Sequence, residues 1–265
     1  MRPLILKTAL ECSLILLALS PAVAANARVR TVHVFVALAD NQHQGIVPVP
    51  AKLGDGDRPA SNLYWGAAFG VKTFFHNSRE WELILCSSGS KPEILERCVF
   101  RYRSDLVYLI ADAYRGIAIR QAVADFLSSA AGRDTQTLHL KTSASDEILP
   151  TNGSADLVVY VGHDAFMDFQ IPPAQGTPAQ KPRPAIVLAC ASKIYFASYL
   201  KAADADPLLW TTGLMAPEAY TLEAALDGWI AHESAISIRL RAAQAYNKYQ
   251  KCGLRAAQGL FATGW

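Results

Sequence analysis

Charge is scarce in this chain, and so are the residues that mark the common cofactor sites. Of 265 residues 18% are charged, with a formal net charge of +2, and the lysines and arginines are scattered along the sequence. That pattern carries no electrostatic footprint for nucleic acid, so no nucleic-acid partner is expected. No CxxC pair occurs, and the six histidines (33, 43, 76, 139, 163 and 232) are dispersed, so no metal is expected. G-x-G-x-x-G, P-loop and G-x-S-x-G patterns are all missing, Ser87-Ser88-Gly89-Ser90 lacking the glycine frame of the last. Nucleotide and serine-hydrolase chemistry are therefore not indicated, and no cofactor is expected.

What is present begins with a leader. Arg2 and Lys7 precede an apolar stretch around Leu14 to Leu19, and small residues follow, ending in Ala22-Val23-Ala24 or Ala25-Asn26-Ala27. Residues 1–27 read as a secretory signal peptide, with an N-terminal anchor as the alternative. Glu11 shortens the apolar region, and Cys12 lacks the small preceding residue of a lipid-attachment site. No later run reaches the ~18 apolar residues of a membrane span. The expectation is an exported protein, periplasmic or secreted, whose residues 28–265 form one domain with 23 basic and 22 acidic side chains.

An oxidising compartment changes how cysteines are read. Cys86, Cys98, Cys190 and Cys252 follow the leader, and Cys86 and Cys98 flank a turn-rich stretch, Ser87 to Pro92. These two are the disulfide candidates.

Six apolar runs read as strands: Thr31–Ala39, Trp81–Cys86, Asp105–Ala111, Leu157–Gly162, Ala185–Ala189 and Leu208–Thr212. Helical spacing is expected over Leu63–Phe75, Ile117–Ala130 with Gly132 as terminator, Lys193–Ala203, Pro217–Ile230 and Ala235–Lys251. Strands alternating with helices define an α/β class with a mainly parallel sheet of about six strands. Two proline-rich stretches, Val47–Asn62 and Pro172–Pro184, read as long loops.

Two of the strand runs end in reactive side chains. Leu157-Val158-Val159-Tyr160-Val161-Gly162 leads into His163, and Ala185-Ile186-Val187-Leu188-Ala189 leads into Cys190. As neighbouring parallel strands they would deliver an imidazole and a thiol to one sheet edge, where α/β proteins bind ligands. A thiol beside imidazole gains thiolate character and becomes a nucleophile. In acyl transfer Cys190 attacks a carbonyl, His163 protonates the leaving amine, and the backbone N–H groups of Cys190 and Asp164 are candidates for the oxyanion hole. Taken one at a time, a strand-end Cys is more often a small core residue and a strand-end His a loop cap.

An apolar block ending in His, followed by one ending in Ala-Cys, resembles the caspase–legumain–gingipain group of cysteine peptidases. The resemblance rests on Val158–His163 and Ile186–Cys190 and extends loosely over residues 30–215. It implies a three-layer caspase–haemoglobinase-like sandwich, a His163–Cys190 dyad and a peptide or protein substrate. It also implies that Asn41, after the first strand, supports the histidine, as in legumain-like members. Asp164 stands where the group has glycine, which feeds an alternative: an inactive relative that binds through the Val47–Asn62 loop. A third reading keeps the covalent step and transfers the acyl group to an amine. Asp40, Asp164 and Asp168 are candidates to face a cationic substrate residue, the alternative for each being a solvated loop carboxylate.

Overall fold

Strand β1 (Arg30–Ala37) is buried along almost its whole length, and its side chains divide by parity. Val32, Val34 and Val36 face one core, while Phe35 and Ala37 face another. A strand buried on both sides needs a layer on each face. The computed structural model, which describes residues 28–141, 146–174 and 182–265, supplies both. Helices α1 (Val71–His76), α4 (Ala219–Ile230), α5 (Ala235–Gln250) and α6 (Leu254–Leu260) contribute to the valine side, and α2 (Ile119–Ala130) and α3 (Ser192–Ala202) to the other. The result is an α/β arrangement of three layers.

The sheet has eight strands in the order β10-β9-β8-β7-β1-β4-β3-β2. Its centre is five parallel strands: β9 (Ala205–Thr211), β8 (Arg183–Leu188), β7 (Leu157–Val161), β1 and β4 (Val107–Tyr114). Antiparallel strands finish the two edges, β3 (Ile94–Tyr102) with β2 (Trp81–Ser87) on one side and the short β10 (Phe261–Ala262) on the other. The chain builds from β1 toward β4 and then crosses to β7 on the opposite side of β1, so the strand order reverses beside β1. Loops diverge at such a reversal and leave a crevice beyond the C-terminal ends.

All six strand runs read from the sequence are strands. Two in the sheet are additional. β3 was not anticipated because Glu96, Arg97 and Arg101 interrupt its apolar pattern, and β10 is only two residues long. A hairpin of β5 (Thr135–Lys141) and β6 (Asp146–Asn152) forms a separate sheet. The helix expected over Leu63–Phe75 is confined to Val71–His76, because the Asn62 carbonyl accepts the N–H groups of both Trp65 and Ala67 and keeps this stretch in turns. Pro217 precedes α4, whose N-cap is Glu218.

Cys86 and Cys98 are cross-strand partners in the β2–β3 ladder and form a disulfide, Cα atoms 4.1 Å apart. No helix among the described residues is long and apolar enough to cross a membrane. The expected leader, and most of the proline-rich stretch after Pro172, lie outside the described residues.

Candidate functional site

β7 is five consecutive apolar residues, all buried, and packing on both faces sets where it ends. Gly162 follows with φ 152° and passes so near β1 that a Cβ would lie 2.9 Å from the Ala37 carbonyl oxygen. Only glycine fits that approach. Its N–H donates to the Leu188 carbonyl and carries the β7–β8 ladder one step further. The chain then turns out of the sheet, and the buried Tyr160 hydroxyl donates to the His163 carbonyl at 2.8 Å, fixing the turn from below.

A short 3-10 turn, Ala165–Met167, brings the backbone round. Asp164 caps it, Oδ1 accepting the Phe166 N–H, and Phe166 stacks on Tyr199 of α3 with ring centroids 3.9 Å apart. The turn delivers Asp168 to His163: Asp168 Oδ2 lies 2.9 Å from His163 Nε2 and 2.9 Å from the Gly45 nitrogen. A carboxylate oxygen accepts, so the proton sits on Nε2 and Nδ1 is the basic nitrogen. Nδ1 makes no hydrogen bond among the described residues.

Cys190 is presented by the neighbouring strand. After β8 the chain makes a sharp turn into α3, with Ala191 in the left-handed region at φ 48°. A non-glycine residue there costs roughly 1–2 kcal/mol. Hydroxyl bonds hold the strained turn: Ser192 Oγ donates to the Val187 carbonyl and Thr211 Oγ1 to the Ala189 carbonyl, the two hydroxyls being 3.1 Å apart. A strained strand-to-helix turn of this kind lifts one side chain above the sheet edge.

His163 and Cys190 line the same cavity, of about 450 Å³. Its walls come from the loop after β1 (Gly45 to Val49), from Leu63 and Tyr64, and from the segment after β9 (Leu214 to Glu218). The thiol does not bond the imidazole among the described residues; it is paired with the Met215 backbone, Sγ accepting the N–H at 3.4 Å and donating to the carbonyl at 3.5 Å. Burial pushes the Cys190 thiol up from its ordinary value, and the nearby Asp164 carboxyl adds to the shift. The resting cysteine is a thiol, not the thiolate expected from a neighbouring imidazole.

Asp164 is wholly buried. Burial raises its carboxyl to about 7, Asp168 adding to the shift, and its Oδ2 has no hydrogen-bond partner among the described residues. The backbone N–H groups of Asp164 and Cys190 make no hydrogen bond among the described residues, so both expected oxyanion donors are free.

The other expected site residues are placed differently. The Asn41 amide is tied to Val49, donating to its carbonyl at 2.8 Å and accepting its N–H at 3.0 Å. It shapes the loop and does not touch His163; Asp168 occupies the position assigned to it. Asp40 accepts the N–H groups of Gln42 and His43 and pairs with His43 Nδ1 at 2.8 Å. Both residues line a neighbouring hollow, separate from the cavity of His163 and Cys190. Asp168, expected to face a cationic substrate residue, is engaged by His163 and Gly45.

Asp168 stood in the sequence five residues after the histidine, yet its role depends on a turn too short to leave a periodic signal. The Ser192–Thr211 clamp joins residues 19 apart and had no local signature. Among the described residues the single grouping of potential metal ligands is Cys86, Glu96 and Cys98, whose two sulfurs are consumed by the disulfide.

No family model, curated protein or solved structure matches the chain.

Proposed function

We propose that the chain is a cysteine peptidase of the caspase–legumain–gingipain type, exported from the cytoplasm, that hydrolyses peptide bonds through Cys190 and His163. The observation that carries this reading is the convergence of those two side chains, from adjacent parallel strands, on one cavity at the C-terminal edge of the sheet. The disulfide is in keeping with an oxidising compartment. His163 Nδ1 takes the Cys190 proton as Sγ forms a bond to the scissile carbonyl carbon, and the oxyanion is met by the free N–H groups of Cys190 and Asp164. The C–N bond then breaks, and the amine leaves with the proton from the imidazolium. Water, deprotonated by His163, attacks the thioester, and the acid departs as Cys190 is reprotonated. Asp168 is a positioning residue that holds the ring through Nε2.

Because the resting thiol bonds Met215, a change in the Cys190 side-chain torsion precedes attack. The same contact favours a second reading, a module that holds a peptide without cutting it. Cys190→Ala separates the two: the peptidase reading requires loss of peptide hydrolysis with the thermal melt nearly unchanged. Hydrolysis that survives in the variant sinks the mechanism, and its absence from the unaltered protein favours the binding module.

A further inference from the structure

The cavity between His163 and Cys190 has a composition that restricts what enters it. Its walls include Ile46, Val47, Leu63, Met167, Leu214 and Met215, and among the described residues neither lysine nor arginine lines it. Three of these residues are large apolar side chains left open to solvent, Val47 at 84%, Leu214 at 74% and Met167 at 44% exposed. Large apolar groups gathered around one opening mark a surface that is covered during function. The one acidic wall residue among those described, Glu218, is engaged away from the cavity: its Oε2 accepts from the Tyr220 hydroxyl at 2.8 Å and from Gln250 Nε2 at 3.0 Å, and neither partner lines the opening. The size suits one large side chain and its backbone, at the small end of ligand cavities.

From this we infer that the cavity receives a large apolar side chain, leucine, methionine or phenylalanine, from the substrate residue whose carbonyl Cys190 attacks. This inference rests on the peptidase reading for the attack, but the apolar preference is a property of the walls. Among the described residues an acidic side chain there would meet no lysine or arginine, and a basic one would have to draw Glu218 away from Tyr220 and Gln250. The residue adjoining the attacked carbonyl is the one whose side chain lies beside the nucleophile, which is where the apolar walls stand.

The test uses two matched series, fluorogenic peptides and peptidyl chloromethyl ketones, each differing only at the residue before the reactive carbonyl: Leu, Met, Phe, Asp, Asn or Arg. Hydrolysis, and alkylation of Cys190 read by mass spectrometry, should favour Leu, Met and Phe over Asp, Asn and Arg by at least ~10-fold. Leu214→Glu should lower kcat/KM for the Leu peptide by ~10-fold or more and narrow its advantage over Arg. Cleavage that favours Asp, Asn or Arg overturns the pocket assignment and leaves the peptidase reading intact. Apolar-selective alkylation without hydrolysis upholds the pocket and removes the peptidase. If no member of either series reacts, both fall.

Discussion

Two histidine–aspartate pairs are built on the central strands, one buried inside the sheet and one at the strand ends, and they differ in what the second ring nitrogen does. In the interior, His33 Nε2 donates to Asp112 at 3.0 Å while Nδ1 accepts the Asn152 N–H at 2.8 Å, and Arg97 closes on both Asp112 oxygens at 2.6 Å. Every polar atom of that pair is committed. At the strand ends, His163 Nε2 is held by Asp168 at 2.9 Å, but Nδ1 is uncommitted among the described residues and the ring borders a cavity shared with a thiol. The same two residue types therefore make a rivet in one place and the parts of a reactive centre in another. Position relative to the C-terminal edge decides which.

The largest expected effect comes from breaking the rivet. Burial alone would raise the Asp112 carboxyl, but hydrogen bonds from Arg97 and His33 overcome it and hold the group at about 2. Asp112→Ala leaves Arg97 without its partner and should cost ~3–5 kcal/mol in denaturant unfolding. A cost below 1 kcal/mol would show the cluster to be far less coupled than its geometry implies.

Breaking the other pair should act on rate, not stability. Asp168→Asn is expected to lower kcat/KM by ~10–100-fold through loss of ring orientation. Its unfolding free energy should change by less than ~1 kcal/mol, since Asp168 is partly exposed. An unfolding change as large as that of the interior pair would erase the distinction.

A third variant addresses the carboxyl beside the thiol. With its folded value near 7 and an ordinary value of 3.8, Asp164 penalises the folded state once ionised, and the penalty grows between about pH 4 and 7. Asp164→Asn should raise stability at pH 8 by on the order of 2 kcal/mol, and by less at pH 5. Equal gains at both values would contradict the raised carboxyl.

The smallest effect is a slope. Burial lowers the His33 imidazole below 6.5, Asp112 offsetting only part of the shift. Its unfolded form therefore binds more protons below pH 6.5, and stability should fall as pH drops through that value, by at most ~1.4 kcal/mol per pH unit. In His33→Gln the slope between pH 7 and 5 should flatten; an unchanged slope would place the acid sensitivity elsewhere.

The central strands were legible because burial on both faces demands unbroken apolar sequence, as in Val158–Val161 and Ile186–Leu188. Strand β3 was not, since Arg97 points its charge inward to Asp112 and breaks the pattern for a reason visible only in three dimensions. Cys190 and His163 were readable as strand ends, and that they share one cavity follows from the strand order. The histidine's partner was not readable. Asn41 and Asp168 both lie after strands, and the choice between them was made by a one-turn reversal and by the loop that draws Asn41 onto Val49.

The single oxygen that Asp168 offers to both His163 and Gly45 has a further consequence. Gly45 begins the wall of the cavity, so the wall and the ring are fastened at one point. Whatever displaces the wall on binding also changes the hold on the imidazole, and by reciprocity a change in the Asp168–His163 bond alters the affinity for the occupant by the same factor. Binding to this cavity should therefore respond to the Asp168–His163 bond even for an occupant that touches neither residue.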